Sequence, residues 1–243
     1  MAHGHPDYGP GAPVSTIYPV LDIGELAARL GSIDTFDRRG NVLWFDGFEC
    51  GISKWLPHTL GSGASVSWQP TAARNGGFSA RCITGDSIEN YAGMSTYFIY
   101  RNPTKLGFEF SYAVDSVNIY WDARLLFYTG TEQLYIEWRW TGGSDRYLQI
   151  YDENGSWVTI DSFQQLASSY FFHTAKIVFD TENKAYTRLL VDNHSYDLTA
   201  YPLRAEADTA NDAYMELYIY FYTLIASNLT AYVDDVIVTQ NEP

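Results

Sequence analysis

Cysteine is nearly absent, with Cys50 and Cys82 the only two in 243 residues. A disulfide framework is therefore excluded, one bridge is permitted but not required, and two buried free thiols are expected, because unpaired cysteine packs as a small hydrophobe. Basic residues are scarce as well: 15 Lys and Arg stand against 29 Asp and Glu, a net charge of −14. Only Arg38-Arg39 approaches a basic cluster, so a phosphate backbone would be repelled and nucleic acid is not an expected partner. No apolar run reaches the ~20 residues that a bilayer-spanning helix needs. Met1 to Pro13 has neither a basic nor an apolar stretch of the kind a Sec signal peptide carries, and no such signal is expected. His3 and His5 stand in Gly/Pro-rich chain and read as solvated. Spacings suited to zinc, serine or cysteine chemistry are missing too.

Aromatic residues are what the chain has in plenty: 20 Tyr, 13 Phe and 7 Trp. That supply and the length suit one large core rather than a disordered or two-domain chain. Residues 1–41 differ from the rest. Pro6, Pro10, Pro13 and Pro19 favour an extended arm. Asp22 as N-cap, Glu25, and Leu26, Ala27 and Leu30 at helical spacing before Gly31 predict one short helix over about 22–30. Such a helix needs a surface to pack on, which either the protein's own sandwich or a neighbouring subunit would supply.

From residue 42 to 243 the pattern is β. Leu134, Ile136, Trp138 and Trp140 alternate with Tyr135, Glu137 and Arg139 before the Gly142-Gly143 turn, and Met215, Leu217, Ile219 and Phe221 alternate with Glu216, Tyr218, Tyr220 and Tyr222. Further strands are predicted at 65–69, 78–84, 95–100, 106–114, 117–128, 146–151, 156–160, 171–180, 185–192 and 231–239. About a dozen short strands with almost no helix indicate an all-β, two-sheet antiparallel sandwich.

Four segments carry a resemblance. Phe45-Asp46-Gly47-Phe48-Glu49 with Trp55, and Asn75-Gly76-Gly77-Phe78-Ser79, resemble the opening strands of extracellular jelly rolls. Phe172 to Asp180, then Tyr186 to Asp192, is similar to the paired strands of concanavalin A-like and laminin G-like domains, and Tyr232-Val233-Asp234-Asp235-Val236 to their closing strand. Arm, helix and sandwich in succession also resemble structural proteins of bacterial viruses. The resemblance implies a jelly-roll fold over roughly 42–240; the superfamily holds lectins, hydrolases, lyases, adhesion domains and virion components, so it does not fix the function. It also implies a structural Ca²⁺ between Glu49 and Asp234 or Asp235, hard oxygen ligands of the kind calcium prefers. Strict alternation would turn one of the two adjacent aspartates inward, where a carboxylate must be paired, hydrogen-bonded or metal-bound.

Catalytic groups are harder to find. Glycoside hydrolysis needs two flanking carboxylates, and no second acid stands two residues from Glu137, nor does the E-x-D-x-x-E pattern of glucanases occur. A lyase would need Tyr, His and Arg together, whereas His58, His173 and His194 are scattered in sequence. The richer constellation lies on the non-core side of three strands: Tyr120, Asp122 and Arg124; Tyr135, Glu137 and Arg139; Tyr218, Tyr220 and Tyr222. Flat rings beside acids suit sugar stacking, and Tyr with Arg equally suits a protein interface. The leading expectation is a non-enzymatic component of a virion or other extracellular particle, its arm engaging protein subunits as a homo-oligomer or on a particle surface. A carbohydrate-binding module using the tyrosine face is the alternative, and a polysaccharide-cleaving enzyme the next.

Overall fold

A computed structural model describes residues 39–99 and 104–243. The expected helix at 22–30, and nearly all of the arm 1–41, lie outside the described residues. What is described is all-β, with sixteen strands in two antiparallel sheets. In the first sheet the order is β13 (His194–Asp197), β12 (Ala185–Val191), β11 (His173–Asp180), β6 (Lys105–Val114), β16 (Thr230–Gln240), β4 (Ser79–Ile83) and β3 (Ser65–Gln69), with β1 (Asn41–Asp46) also pairing β16. In the second it is β10 (Trp157–Ser162), β9 (Tyr147–Tyr151), β8 (Glu132–Trp140), β7 (Ile119–Tyr128), β15 (Tyr214–Thr223), β5 (Tyr91–Ile99) and β2 (Leu56–Thr59), with β14 (Arg204–Ala207) also pairing β8. No helix among the described residues is long and apolar enough to cross a membrane.

Alternation explains the core. Leu134, Ile136, Trp138 and Trp140 of β8, Trp121 and Phe127 of β7, and Leu217, Ile219 and Phe221 of β15 meet Phe108, Phe110, Ile177, Val233 and Val238 of the first sheet. Burying one such side chain stabilises by roughly 1.5–3 kcal/mol. Tyr186 of β12 is buried among them, and its hydroxyl accepts from Glu137 N (3.1 Å) and donates to Tyr151 O (2.9 Å), tying the first sheet to β8 and β9 of the second. Cys82 is buried, its thiol pushed up to about 12 by burial. Cys50 corrects the expectation of two buried thiols: it is free but exposed.

The closing strand departs from strict alternation. Along one edge of β16, β4 pairs with residues 230–233 and β1 with residues 236–240, and the register with β6 slips between Asp234 and Ile237. Asp235, at φ 47°, is the extra residue of this β-bulge. Val233 enters the core before the bulge, and Val236 and Val238 enter it afterwards. Strict alternation does not hold here: the bulge sets both aspartates between the core residues Val233 and Val236, and both are buried. Arg74 N (2.7 Å) and Asn75 N (3.3 Å), from the loop before β4, donate to Asp234 Oδ2.

Elsewhere the outer side of the first sheet hides a charge cluster. Lys176 of β11 stands opposite Glu109 of β6, 3.9 Å from its carboxylate, and 2.7 Å from Glu242 near the C-terminus. Arg188 of β12 pairs with Glu242 and donates to Pro243 O at 3.0 Å, and Thr239 Oγ1 donates to Glu242 at 2.6 Å. All these side chains are buried.

Candidate functional site

Strand register assembles one polar surface on the outer side of the second sheet. Tyr222, Tyr220 and Tyr218 of β15 lie opposite Tyr120, Asp122 and Arg124 of β7, and Asp122 and Arg124 lie in turn opposite Arg139 and Glu137 of β8. Eight of the residues singled out in the sequence are thus on adjacent strands: Tyr120, Arg124, Tyr135, Glu137, Arg139, Tyr218, Tyr220 and Tyr222. Tyr135 stands at the far end, where its hydroxyl donates to Glu206 of β14 at 2.8 Å and Arg204 covers its ring. On the other flank Gly93 of β5 pairs with Tyr220, and a Cβ there would strike the Tyr220 ring and the Ile219 carbonyl.

The charges are held within the sheet. Arg124 donates from Nε (3.0 Å) and Nη2 (2.8 Å) to the two oxygens of Asp122, with Glu137 3.6 Å away. A fork of this kind fixes both planes. Arg139 donates to Gln149 at 2.8 Å and stacks on Trp157 at 3.9 Å, and Arg204 is paired with Glu206. Burial pushes the Glu137 carboxyl up to about 7, partly offset by Arg124. Burial likewise pushes Tyr220 up to about 12 and raises Tyr120, Tyr218 and Tyr222 further, with hydrogen bonds to Glu89 and Glu216 adding to the effect at Tyr120 and Tyr218. The phenols are therefore fixed as neutral donors.

Three features of this surface escape sequence inspection. First, the rings are not flat platforms: Tyr120 stacks on Tyr222 (4.5 Å, 3° between planes) and Tyr218 on Tyr220 (5.7 Å, 17°). Their faces are spent on each other. Second, His58 of β2, hydrogen-bonded to Ser95 at 2.9 Å, lies 6.0 Å from the Tyr218 ring and 5.8 Å from Tyr220, which Arg124 also approaches at 5.7 Å. Histidine, tyrosine and arginine that are scattered in sequence meet here. Third, the second acid missing beside Glu137 along its own strand comes from the neighbouring one, as Asp122. Gln149, Trp157, Arg204 and Glu206 join from strands whose pairing no local pattern announces.

The three residues expected to hold a metal are all bound to protein groups. Glu49 Oε1 accepts from Gly77 N (2.9 Å) and Phe78 N (3.0 Å). Asp234 Oδ1 accepts from Asp235 N at 2.8 Å, and Asp235 Oδ2 from Asn75 Nδ2 at 2.6 Å. Asp235 Oδ1 is buried without a hydrogen-bond partner. Burial and the closeness of the two carboxyls raise the pKa of Asp234, and burial raises that of Asp235 against the pull of Arg74. Among the described residues no cluster of three or more His, Cys, Asp or Glu is placed to hold a metal ion.

No protein-family model and no curated protein matches the chain. Solved structures do. The chain is similar to an endo-beta-1,4-glucuronan lyase from the fungus Trichoderma reesei, at 10% identity and TM-score 0.52 over 83% of this chain and 96% of that one. It is similar to a conserved carbohydrate esterase from a Shiga toxin-encoding bacteriophage, at 13% identity and TM-score 0.52 over 84% and 100%. A Bacillus subtilis protein of unknown function with a galectin-like fold aligns at 8% identity and TM-score 0.52 over 84% and 97%. At such identities the likeness speaks for the jelly-roll sandwich alone.

Proposed function

We propose that the outer side of the second sheet is a carbohydrate-binding surface, working through hydrogen bonds rather than through exposed ring faces. The observation that carries this reading is the continuous row of phenols, Tyr218, Tyr220 and Tyr222 with Tyr120, set against the Asp122–Arg124 fork and Glu137. A sugar offers hydroxyls that both donate and accept, and rigid mixed partners of this kind orient it at small entropic cost. Two of the similar structures are a glucuronan lyase and a carbohydrate esterase, which agrees with this class of ligand. Titration against a panel of soluble glycans tests it. Tyr218→Ala and Tyr220→Ala should each weaken binding by about tenfold, some 1.4 kcal/mol; binding indifferent to both changes sinks the proposal.

His58 beside Tyr218, Tyr220 and Arg124 favours a second reading, polysaccharide cleavage. A tyrosine base works best with a pKa near the operating pH, and these phenols are all raised, so binding is the better account. Incubation with glucuronan and alginate should release no unsaturated ends, and their appearance would reverse the order of the two readings. The particle-component expectation rests on the missing signal, on the lack of a catalytic carboxylate pair in the sequence, and on the arm, nearly all of which lies outside the described residues.

Structural calcium is a separate proposal, centred on Asp235. Its buried, unpartnered Oδ1 is a hard oxygen of the right kind, and the charge of Glu49 acts on it, although the other oxygens named above already accept hydrogen bonds. A bound ion would tie β1 to β16 and stabilise by mass action. EDTA should then lower the thermal midpoint and millimolar Ca²⁺ restore it; an unchanged midpoint refutes the proposal.

A further inference from the structure

The tyrosine row runs into a cavity at one end of the second sheet. At that end β7 begins, β8 and β15 finish, and the chain enters β5. There Glu89, Asn118, Tyr120, Arg139, Thr141 and Asp145 line an open pocket of about 600 Å³. Its rim is braced by backbone hydrogen bonds between loops: Gly143 N donates to Val117 O (2.7 Å), Leu224 N to Asn118 O (2.9 Å) and Glu89 N to Thr223 O (2.9 Å). Glu89 is held at φ 65°, a conformation uncommon for glutamate, and its carboxylate accepts from the Tyr120 hydroxyl at 2.6 Å. Tyr120 belongs to both features, because it lines the pocket and stacks on Tyr222 of the row.

We propose that this pocket seats the terminal residue of an uncharged glycan whose body lies along the tyrosine row. The inference rests on the carbohydrate reading and gives it a ligand class and a binding mode. Two observations carry it. The row ends at Tyr120, which itself lines the pocket, and the loops around that pocket are tied to one another by backbone hydrogen bonds. The charges then select against acidic chains. Arg124 is committed to Asp122 and Arg204 to Glu206; the pocket itself sets one guanidinium, Arg139, held by neutral Gln149, against the two carboxylates of Glu89 and Asp145, with Glu137 and Glu216 along the row. A uronate or sulfate would meet more acid than free guanidinium, on a chain whose net charge is −14. Pocket hydroxyl, amide and carboxylate groups of Thr141, Asn118 and Glu89 match the hydroxyls of a neutral sugar.

Calorimetric titration of the full chain tests this with cello-, xylo-, manno- and galacto-oligosaccharides, their parent polymers, and alginate and polygalacturonate as acidic probes. The expected result is that one neutral series binds, that its short oligosaccharides match the polymer in affinity per chain, and that modifying the chain ends weakens binding by about tenfold or more. Glu89→Gln, which keeps an acceptor for the Tyr120 hydroxyl, should weaken oligosaccharide binding while leaving the thermal midpoint in place. Affinity per chain that climbs with polymer length and ignores end modification overturns the terminal mode, yet leaves the binding surface standing. Acidic probes binding in preference to neutral ones overturn the ligand class. No binding to any probe overturns the carbohydrate reading itself.

Discussion

Lys176→Ala is expected to lower the unfolding free energy by about 3 to 5 kcal/mol, the range for stripping one partner from a buried ion pair. The ammonium lies 2.7 Å from Glu242 and 3.9 Å from Glu109, with all three side chains at 2% exposure or less. Removing it leaves two carboxylates out of water with less positive charge to balance them. Arg188 still pairs with Glu242 then, beside the Thr239 hydroxyl. Denaturant titration of wild type, Lys176→Ala, Glu242→Gln and the double variant measures the coupling. The double variant should lose clearly less than the two single losses added together, because the first change already removes what the second would break. A loss for Lys176→Ala within 1 kcal/mol of zero, by the scale of surface ion pairs, would show that the cluster opens to water.

Stability should also fall as pH rises from about 5 to 8, opposite to the behaviour of a fold held together by ionised carboxylates. Glu137 is one cause: its folded-state value of about 7 lies above its ordinary 4.5, because burial disfavours the anion, and burial raises Asp234 and Asp235 in the same direction. A group raised on folding contributes fully below its unfolded value, and the contribution is lost as pH climbs through the folded one. For Glu137 that amounts to about 3 kcal/mol. His173 acts in the same direction. Burial works against its charge, but Asp192, 2.6 Å from Nδ1, raises its pKa overall, and Leu166 O lies 3.0 Å from Nε2, so both ring nitrogens face acceptors that an imidazolium satisfies. Thermal melts across this range should show a falling midpoint, and Glu137→Gln should flatten part of the slope, with Asp234, Asp235 and His173 carrying the rest. A flat or rising midpoint in the wild type would contradict the burial argument.

What the sequence made legible followed from periodicity. β8 and β15 are long and half-buried, so alternation located both and told their polar sides from their core sides before any pairing was known. β2, β13 and β14 are four residues each, Pro57 interrupts the first, and all three lie at sheet edges, where no buried side imposes a pattern. The bulge at Asp235 was hidden for a related reason: it arises where β16 exchanges β4 for β1 as its neighbour, a fact of pairing and not of local composition. Pairing likewise brought His58 to Tyr220 and Asp122 near Glu137. Ring orientation was beyond alternation altogether, since the period assigns a side chain to a face without saying whether its plane lies flat or stands on edge.

Asn41 at the start of β1 pairs with Gln240 at the end of β16. Tension applied through residues 41 and 240 would therefore load one hydrogen-bonded rung at a time, peeling the two strands apart from that end instead of shearing every rung at once. Mechanically that is the weaker geometry. The clasp of Glu242 on Lys176 and Arg188 lies just beyond the first rung, so a pull moved to residue 243 would load it before the zipper begins to open.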